Sequence, residues 1–361
     1  MQRIGDLTNF ETYKDKPMKN ILSIQKLSLL LIILTILTSS CSKKVQTFSL
    51  AFYNVENLFD TIDDKHKQDN KYLPGSKVPW NTERYNHKLN NLTQVFNAID
   101  SVELPSVIGL AEVENMTVLK DLVAHPAISE TNYKILHQES EDERGIDVAL
   151  LYRTDKYTPL ETNYIQLIFP FNPTNGTRDI LYSKGLAGDK DTVHIFINHW
   201  TSRWGGQEET EPSRRYTAGV LKGFTDSIFS VQPNANIIVA GDLNDNPDDI
   251  SIAEDLMAIE PTEPYLDKRL YNLSIKQYKM GDGTLYYRGW DMFDQIIVSS
   301  ALLKGQNGMI ASSRNQQIIK KDWMLFFPKR AEPRPNRTAT SKYFGGYSDH
   351  LPVYLKINLS E

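Results

Sequence analysis

Residues Asn236 to Asp249 read NIIVAGDLNDNPDD. Ile237 to Ala240 are consecutive apolar residues, the composition of a strand covered on both faces, and Gly241 ends the run. Asp242, Asn244, Asp245, Asp248 and Asp249 follow at once. A turn accounts for Gly241 and Pro247 but not for so many carboxylates, which repel one another unless a cation or a proton sits among them. The reading therefore depends on whether other strands of the chain end in groups that would share such a cation.

Working outward, they do. FSLAFYNVENLF (48–59) is predicted to be a strand with an abrupt polar end, and 60–81 is predicted to be a loop. Thr82 opens a predicted helix with Tyr85, Leu89, Leu92, Phe96 and Ile99 on one stripe. SVIGLAEVEN (106–115), DVALLYR (147–153), TVHIFINHW (192–200), FDQIIVSS (293–300) and LPVYLKI (351–357) read as further strands. A second helix is predicted over Ser213 to Phe229, with Tyr216, Leu221, Phe224 and Ile228 inward. Strand groups alternating with helices predict an α/β sandwich in one domain, residues 41–361. The strand ends carry Asn54, Glu112, His199, Asp242 with Asn244, and Asp294, while GGYSDHLP precedes the last strand. Strand ends are where α/β folds gather their sites.

Residues 1–40 read as a signal peptide. Lys19 and Lys26 give a basic start after Met18, and Leu27 to Leu37 is an apolar run too short to span a bilayer. Cys41 follows as the only cysteine, which excludes an intrachain disulfide and a thiolate metal site. The stretch resembles a bacterial lipoprotein signal in which Cys41 is lipidated, although Thr38 stands where leucine is usual. A simple cleaved secretory signal is the alternative. Either way export is expected, with the chain anchored to the envelope or released. Removing the five basic and three acidic residues of 1–40 from totals of 40 and 45 leaves 35 against 42, a formal charge of −7. That balance does not hold nucleic acid by bulk electrostatics, so a polyanion must be met by a local basic patch or bound metal.

FYNVENLF, GLAEVEN, INHWTSR, VAGDLND, FDQIIVS and YSDHLPV, in this order from Phe48 to Ile357, resemble the endonuclease/exonuclease/phosphatase superfamily. NHWTSRWGG further resembles its secreted bacterial nuclease-like branch. The resemblance implies a DNase I-like, four-layer α/β sandwich, with two mixed sheets face to face and helices outside. It also implies a metal-dependent phosphoesterase. Asn54 and Glu112 would help hold the cation, with Glu112 the principal ligand and Glu114, two residues on, expected to face away. Asp242 would orient or deprotonate the attacking water, and Asn244 would hold a phosphate oxygen. His199 would stabilise the phosphorane. His350, oriented by Asp294, would act on phosphate or water, and Asp349 would be a metal ligand or an outer contact to one.

The residue types support that chemistry. Hydrolysis of a phosphodiester places water against an anion, and a hard cation on oxygen ligands offsets the charge. Asp, Glu and Asn without cysteine suit Mg²⁺, Mn²⁺ or Ca²⁺. A histidine held by an aspartate has its tautomer and basicity set by that carboxylate. Asp245, Asp248 and Asp249 read as loop and cap residues.

Substrate choice is less legible. Lys320 to Lys342 carries seven Lys or Arg with Trp323, Phe326 and Phe327 among them. This reads either as a rim that grips a phosphate backbone and stacks a base or as a strand with a solvated loop. Arg144 and Arg203 are candidate phosphate contacts, with ion pairing inside acid-rich loops as the alternative. Asp147 is a ligand or a strand-start residue. A nuclease acting on extracellular DNA or RNA is expected. The alternatives are a phosphatase or phospholipase-type enzyme and, last, a non-catalytic surface binding protein. No heptad pattern points to a coiled-coil partner, and a monomer is expected.

Overall fold

A computed structural model describes residues 46–360 apart from 175, 189, 190, 313 and 315, all within the unit Val45–Glu361. The signal segment and Cys41 lie outside the described residues. Among the described residues no helix is long and apolar enough to cross a membrane.

The chain forms β1 (Thr47–Leu58), α1 (Thr82–Ile99), β2 (Val107–Val113), α2 (Met116–Ala124), β3 (Lys134–His137) and β4 (Asp147–Tyr152). Next come β5 (Tyr157–Ile165), β6 (Ile180–Ala187), β7 (Asp191–His199), α3 (Gln207–Val231) and β8 (Asn236–Asp242). The last part holds β9 (Leu270–Asn272), α4 (Ile275–Lys279), β10 (Leu285–Tyr286), β11 (Trp290–Asp291), β12 (Asp294–Ser299) and α5 (Ser300–Lys304). It ends with β13 (Met309–Ile310), β14 (Gln316–Ile318), β15 (Leu325–Phe326), β16 (Arg334–Pro335) and β17 (Val353–Leu359).

Two mixed sheets result. The first has the order β13-β17-β1-β2-β4-β3, with β14 also on β17, and the second has the order β5-β6-β7-β8-β12-β9. Residues on alternate sides of β1 explain the layering. Phe48, Leu50 and Phe52 join Ile195, Ile197, Ile238, Ala240 and Ile296 in the core between the sheets. Ala51, Tyr53 and Val55 face outward and are covered by Leu89, Leu92 and Phe96 of α1 and by Leu119 and Leu122 of α2. On the far side Phe196, Ile237 and Val239 are covered by Ala218, Leu221 and Phe229 of α3. Both faces of the central strands are therefore buried, which is why they read as near-continuous apolar runs. The expected sandwich, with sheets face to face and helices outside, is what the chain forms.

The sheets approach closely at Gly109, where an added Cβ would lie 2.6 Å from Ile197 Cδ1 and 3.1 Å from Phe52 Cδ2. Asn81 caps α1, its side chain accepting from Arg84 N at 3.1 Å, and Asn115 caps α2 through Thr117 N and Val118 N.

The second long helix differs from expectation. It starts at Gln207, and its buried residues are Arg214, Thr217, Ala218, Leu221, Thr225 and Phe229, while Phe224 is exposed. Apolar periodicity misplaced the stripe because an arginine and two threonines occupy inward positions. The threonine hydroxyls donate to Ser213 O and Lys222 O, and Arg214 meets a buried carboxylate described below. Strands β3, β5 and β6 had no clear sequence signal. β5 is an edge strand that carries Pro159 at a register shift, a position where a missing N–H is tolerated.

Strand direction places the site. β1 and β2 run parallel, and β17 runs antiparallel to β1 with Phe52 opposite Val353. β7 and β8 run parallel with His199 opposite Asp242, and β12 runs antiparallel with Asp294 opposite Asp242. The ends of β1, β2, β7 and β8 and the starts of β12 and β17 thus meet along one edge of the sandwich.

Candidate active site

Local backbone irregularities aim the side chains. The β1–β2 register shifts between Asn54 and Leu58, and Glu56 and Asn57 are left-handed (φ 49° and 56°). The β2–β4 register shifts between Ala111 and Val113, and Glu112 is left-handed (φ 63°). This bulge corrects the sequence argument about Glu114. In an unbroken strand residues two apart share a face, and it is the bulge that separates Glu112 from Glu114. Glu112 Oε2 accepts from Asn57 N at 3.0 Å, while Glu114 Oε2 accepts from Asp60 N at 2.7 Å. Asn244 is also left-handed (φ 50°), and its N–H donates to Asp242 Oδ1 at 3.0 Å.

Six of the expected residues converge on the seam between the sheets. Asp294 Oδ2 lies 2.7 Å from His350 Nδ1. Asp242 Oδ2 lies 3.8 Å from His350 Nε2 and 3.6 Å from His199 Nε2. Asn54 Nδ2 donates to Asp242 Oδ2 at 3.0 Å and to Glu112 Oε1 at 3.3 Å. His199 Nε2 is 3.9 Å from Glu112 Oε1. All are buried except Glu112, whose side chain keeps 17% exposure. Asn54 and Glu112 come from the first sheet, His350 from the loop that leads into its strand β17, and His199, Asp242 and Asp294 from the second.

The electrostatics separate these groups. Burial, with Asp294 adding to it against the opposing His350, raises Asp242 to about 7. Burial pulls His350 down, but the carboxylates of Asp294 and Asp242 outweigh it and hold the imidazole well above its usual value. His199 is pushed well below its usual value, first by burial and then by Arg178 and Arg144. Two histidines a few ångströms from one carboxylate are thus shifted in opposite directions.

The donor set fits a hard divalent cation. Asp242, Asp294 and His350 each offer a ligand atom within 4.8 Å of one another, and Asp294 Oδ1 is buried without a hydrogen-bond partner. Glu112 adds a further carboxylate on the open side. Carboxylate oxygens without thiolate match Mg²⁺, Mn²⁺ or Ca²⁺, and His350 would ligate only in its neutral form.

The other expected residues lie elsewhere or are otherwise engaged. The Asn54 amide nitrogen faces the carboxylates and joins Glu112 to Asp242, and its oxygen accepts from Glu56 N at 3.0 Å. The Asn244 amide donates to Trp200 O at 3.0 Å. Asp349 pairs with Arg337 at 2.8 Å and stands outside the Asp242–Asp294–His350 group. Arg203 donates to Asn244 O and Asp245 at 2.8 Å each and also pairs with Asp249, which is the ion-pairing alternative. Asp245 further meets the fully buried Arg214 at 2.7 Å. Asp147 accepts from Ser140 N at 2.8 Å and lies 3.3 Å from His137 Nε2, so it is a strand-start anchor. Arg144 leans on Asp142 and remains 48% exposed.

Three residues escaped the sequence reading. Arg178, at the entry to β6, is buried and pairs with Asp142 at 3.0 Å. No strand-end pattern marks it. Glu56 is buried, accepts from Arg337 Nε at 3.1 Å and from Thr338 N at 2.5 Å, and is raised by burial to about 7. Lys88 donates to Thr338 Oγ1 at 2.5 Å and Tyr347 O at 2.7 Å. Its place between Tyr85 and Leu89 on the apolar stripe of α1 was the signal available. Within the basic segment, β15 and β16 pair as a ribbon that leads into Arg337.

Beside this seam opens a cleft of about 630 Å³, lined by Glu56 and Asn57 at one side and by Tyr72, Arg144, Trp204 and Arg337 around it.

Among solved structures the chain resembles a humanised D. rerio TDP2, with TM-score 0.52, 15% identity, and 86% of this chain and 99% of that one covered. It also resembles a family protein from Bacteroides thetaiotaomicron, with TM-score 0.52, 13% identity and coverage of 88% and 99%. A third is the mannosyl-6-phosphatase of B. thetaiotaomicron VPI-5482, with TM-score 0.51, 14% identity and coverage of 86% and 99%. At these identities the likeness is one of fold. No curated relative matches the chain. The family model of the Endonuclease/Exonuclease/phosphatase family, however, matches residues 49–359, which takes in every strand end at the seam. With acids and histidines from both sheets meeting there, the chain belongs to this family of phosphoester hydrolases.

Proposed function

We propose that the protein is a divalent-metal-dependent phosphodiesterase acting on nucleic acid. The observation that carries this reading is the Asp294–His350 pair, 2.7 Å apart between the start of β12 and the loop before β17, with His350 Nε2 directed at Asp242. Asp242, poised near neutrality, takes a proton from the attacking water as its oxygen bonds to phosphorus. The bond from phosphorus to the ester oxygen breaks in line. His350, held protonated by its two carboxylates, faces the negative charge that builds on the phosphoryl oxygens. His199 stays neutral and supplies a hydrogen bond without adding charge. Asn54 and Asn244 fix the Asp242 carboxylate from both oxygens. Glu112, the carboxylate with access to the cleft, would be the principal ligand of a Mg²⁺, Mn²⁺ or Ca²⁺ ion. Such an ion, when bound, offsets the charge of the phosphoryl and leaving oxygens.

Nucleic acid is the preferred substrate because cations and aromatic rings surround the cleft and the ribbon beside it. Exposed Phe326 lies on that ribbon with Arg334 over its ring, and exposed Phe327 follows it in the chain. A monoester phosphatase or phospholipase-type activity is the competing reading, favoured by the net charge of −7 without the signal segment. Attachment to the bacterial envelope through lipidated Cys41 is proposed on the sequence pattern alone, as is a monomeric state.

The test is hydrolysis by the full chain of plasmid DNA, RNA, bis-p-nitrophenyl phosphate, p-nitrophenyl phosphate and a phospholipid, with each metal or EDTA. Metal-dependent nicking of plasmid or cleavage of RNA that is lost in His350→Ala supports the reading. Cleavage of monoesters or lipid alone would transfer the protein to the competing one.

A further inference from the structure

The cleft beside the seam has a composition that the hydrolytic groups do not require. One wall is a fixed aromatic stack. Tyr72 lies on Phe59 with ring centroids 4.0 Å apart and planes 6° from parallel, and Trp80 meets the Tyr72 ring edge-on at 6.3 Å. Elsewhere on the rim stands Trp204, which is 91% exposed, the highest value among the described large hydrophobic side chains. A single exposed apolar residue on a convex surface needs no explanation. An indole left in water at the mouth of a cleft beside a reaction centre offers a free π-face.

Two arginines supply charge. Arg337 is oriented by Glu56 through Nε and by Asp349 through Nη2, which leaves Nη1 outside both bonds. Its side chain is 41% exposed and lines the cleft. Arg144 bonds to Asp142 through Nε and Nη2 at 3.3 and 3.4 Å and is 48% exposed on the same cleft. The Asp349 position expected for a metal ligand is thus used to aim an arginine. A volume of about 630 Å³ falls in the range of small-molecule sites.

Building on the phosphodiesterase reading, we propose that this cleft is the subsite for one nucleotide unit next to the scissile bond. Its base stacks on Trp204, and its own phosphate lies between Arg144 and Arg337. An aromatic platform joined to guanidinium groups suits a ring-bearing anion, and base stacking tolerates any sequence. The site therefore selects for a nucleotide flank and against a simple alkyl phosphoester.

The experiment has two arms on the full chain, wild type against Trp204→Ala and Trp204→Phe. Trp204 is too exposed for either change to disturb folding. The first arm compares kcat/KM for thymidine 5′-(p-nitrophenyl phosphate) and methyl p-nitrophenyl phosphate, which differ only in the nucleoside. The second measures binding of thymidine 5′-monophosphate and glucose 6-phosphate by calorimetry. The expected result is that Trp204→Ala weakens thymidine monophosphate binding and lowers the nucleoside preference about tenfold, while Trp204→Phe restores most of both. Equal binding by wild type and Trp204→Ala overturns the assignment even if both esters are hydrolysed. Tighter binding of glucose 6-phosphate than of the nucleotide overturns it in favour of a sugar phosphate. No hydrolysis of either ester with any metal, together with Trp204-dependent nucleotide binding, defeats the phosphodiesterase reading but leaves the cleft a nucleotide site.

Discussion

Asp294 opens β12 and His350 sits 56 positions away in the loop before β17, yet Asp294 Oδ2 lies 2.7 Å from His350 Nδ1. The contact fixes the ring so that Nε2 points toward Asp242. Asp294→Asn would keep the shape and remove the charge that holds the imidazole protonated. The expected outcome is a fall in kcat of about 10²- to 10⁴-fold with little change in KM, measured on bis-p-nitrophenyl phosphate.

Asp242 gives the pH dependence. A base must be deprotonated to accept the water proton, so kcat/KM should rise with pH through about 7. A cation beside the carboxylate favours its charged form, so raising Mg²⁺ should move this rising limb to lower pH. A profile measured from pH 5 to 9 at several Mg²⁺ concentrations checks the sign.

Metal binding should be visible without turnover. An ion that binds only the folded chain stabilises it by about 2.7 kcal/mol at a hundred times its Kd, so Mn²⁺ should raise Tm. Glu112→Gln should abolish most of that increase, as read by thermal melts with and without EDTA.

Glu114 reports on stability and not on chemistry. Burial first, then the nearby acids, lift its carboxyl to about 8 from an ordinary 4.5, so the folded state prefers the protonated form. Its contribution is full below pH 4.5 and is lost as pH rises through about 8. Glu114→Gln keeps an acceptor for Asp60 N and cannot ionise. Its Tm should therefore fall less than that of the wild type between pH 5 and 9.

The buried Arg214–Asp245 pair, 2.7 Å apart, anchors the loop that follows β8. Arg214→Ala removes one of the two cations on Asp245 and leaves Arg203 facing it, so the cost should be about 3 kcal/mol, the lower end for a broken buried pair, read by denaturant unfolding.

Much of this arrangement was legible in the sequence, for physical reasons. Central strands buried on both faces leave apolar runs, and an abrupt polar residue at the end of each run marks one edge of the sandwich. That is how Glu112, His199, Asp242, Asp294 and His350 could be named together. What the sequence concealed depends on side chains that meet across the fold. Arg203 and Arg337 are both arginines in loops rich in polar residues, but one is consumed by Asp245 and Asp249 and the other is aimed into the cleft. The bulge at Glu112 leaves no compositional trace. The inward face of α3 was misread because Arg214, Thr217 and Thr225 are polar residues whose partners lie elsewhere in the structure or one turn back along the helix.

The close approach at Gly109 bears on all of this. Asn54 and Glu112 ride on one slab of strands and His199, Asp242 and Asp294 on the other, and among the described residues no strand pairing joins the two slabs. The gap between Asn54 or Glu112 and the second-sheet residues they face is therefore a thickness, set by how deep the apolar filling is. A hydrogen atom at position 109, in place of a methyl that would press on Ile197 and Phe52, acts as the shim of the device. Tolerances at the bench of this enzyme are cut in its oiliest part, the buried filling between the two sheets.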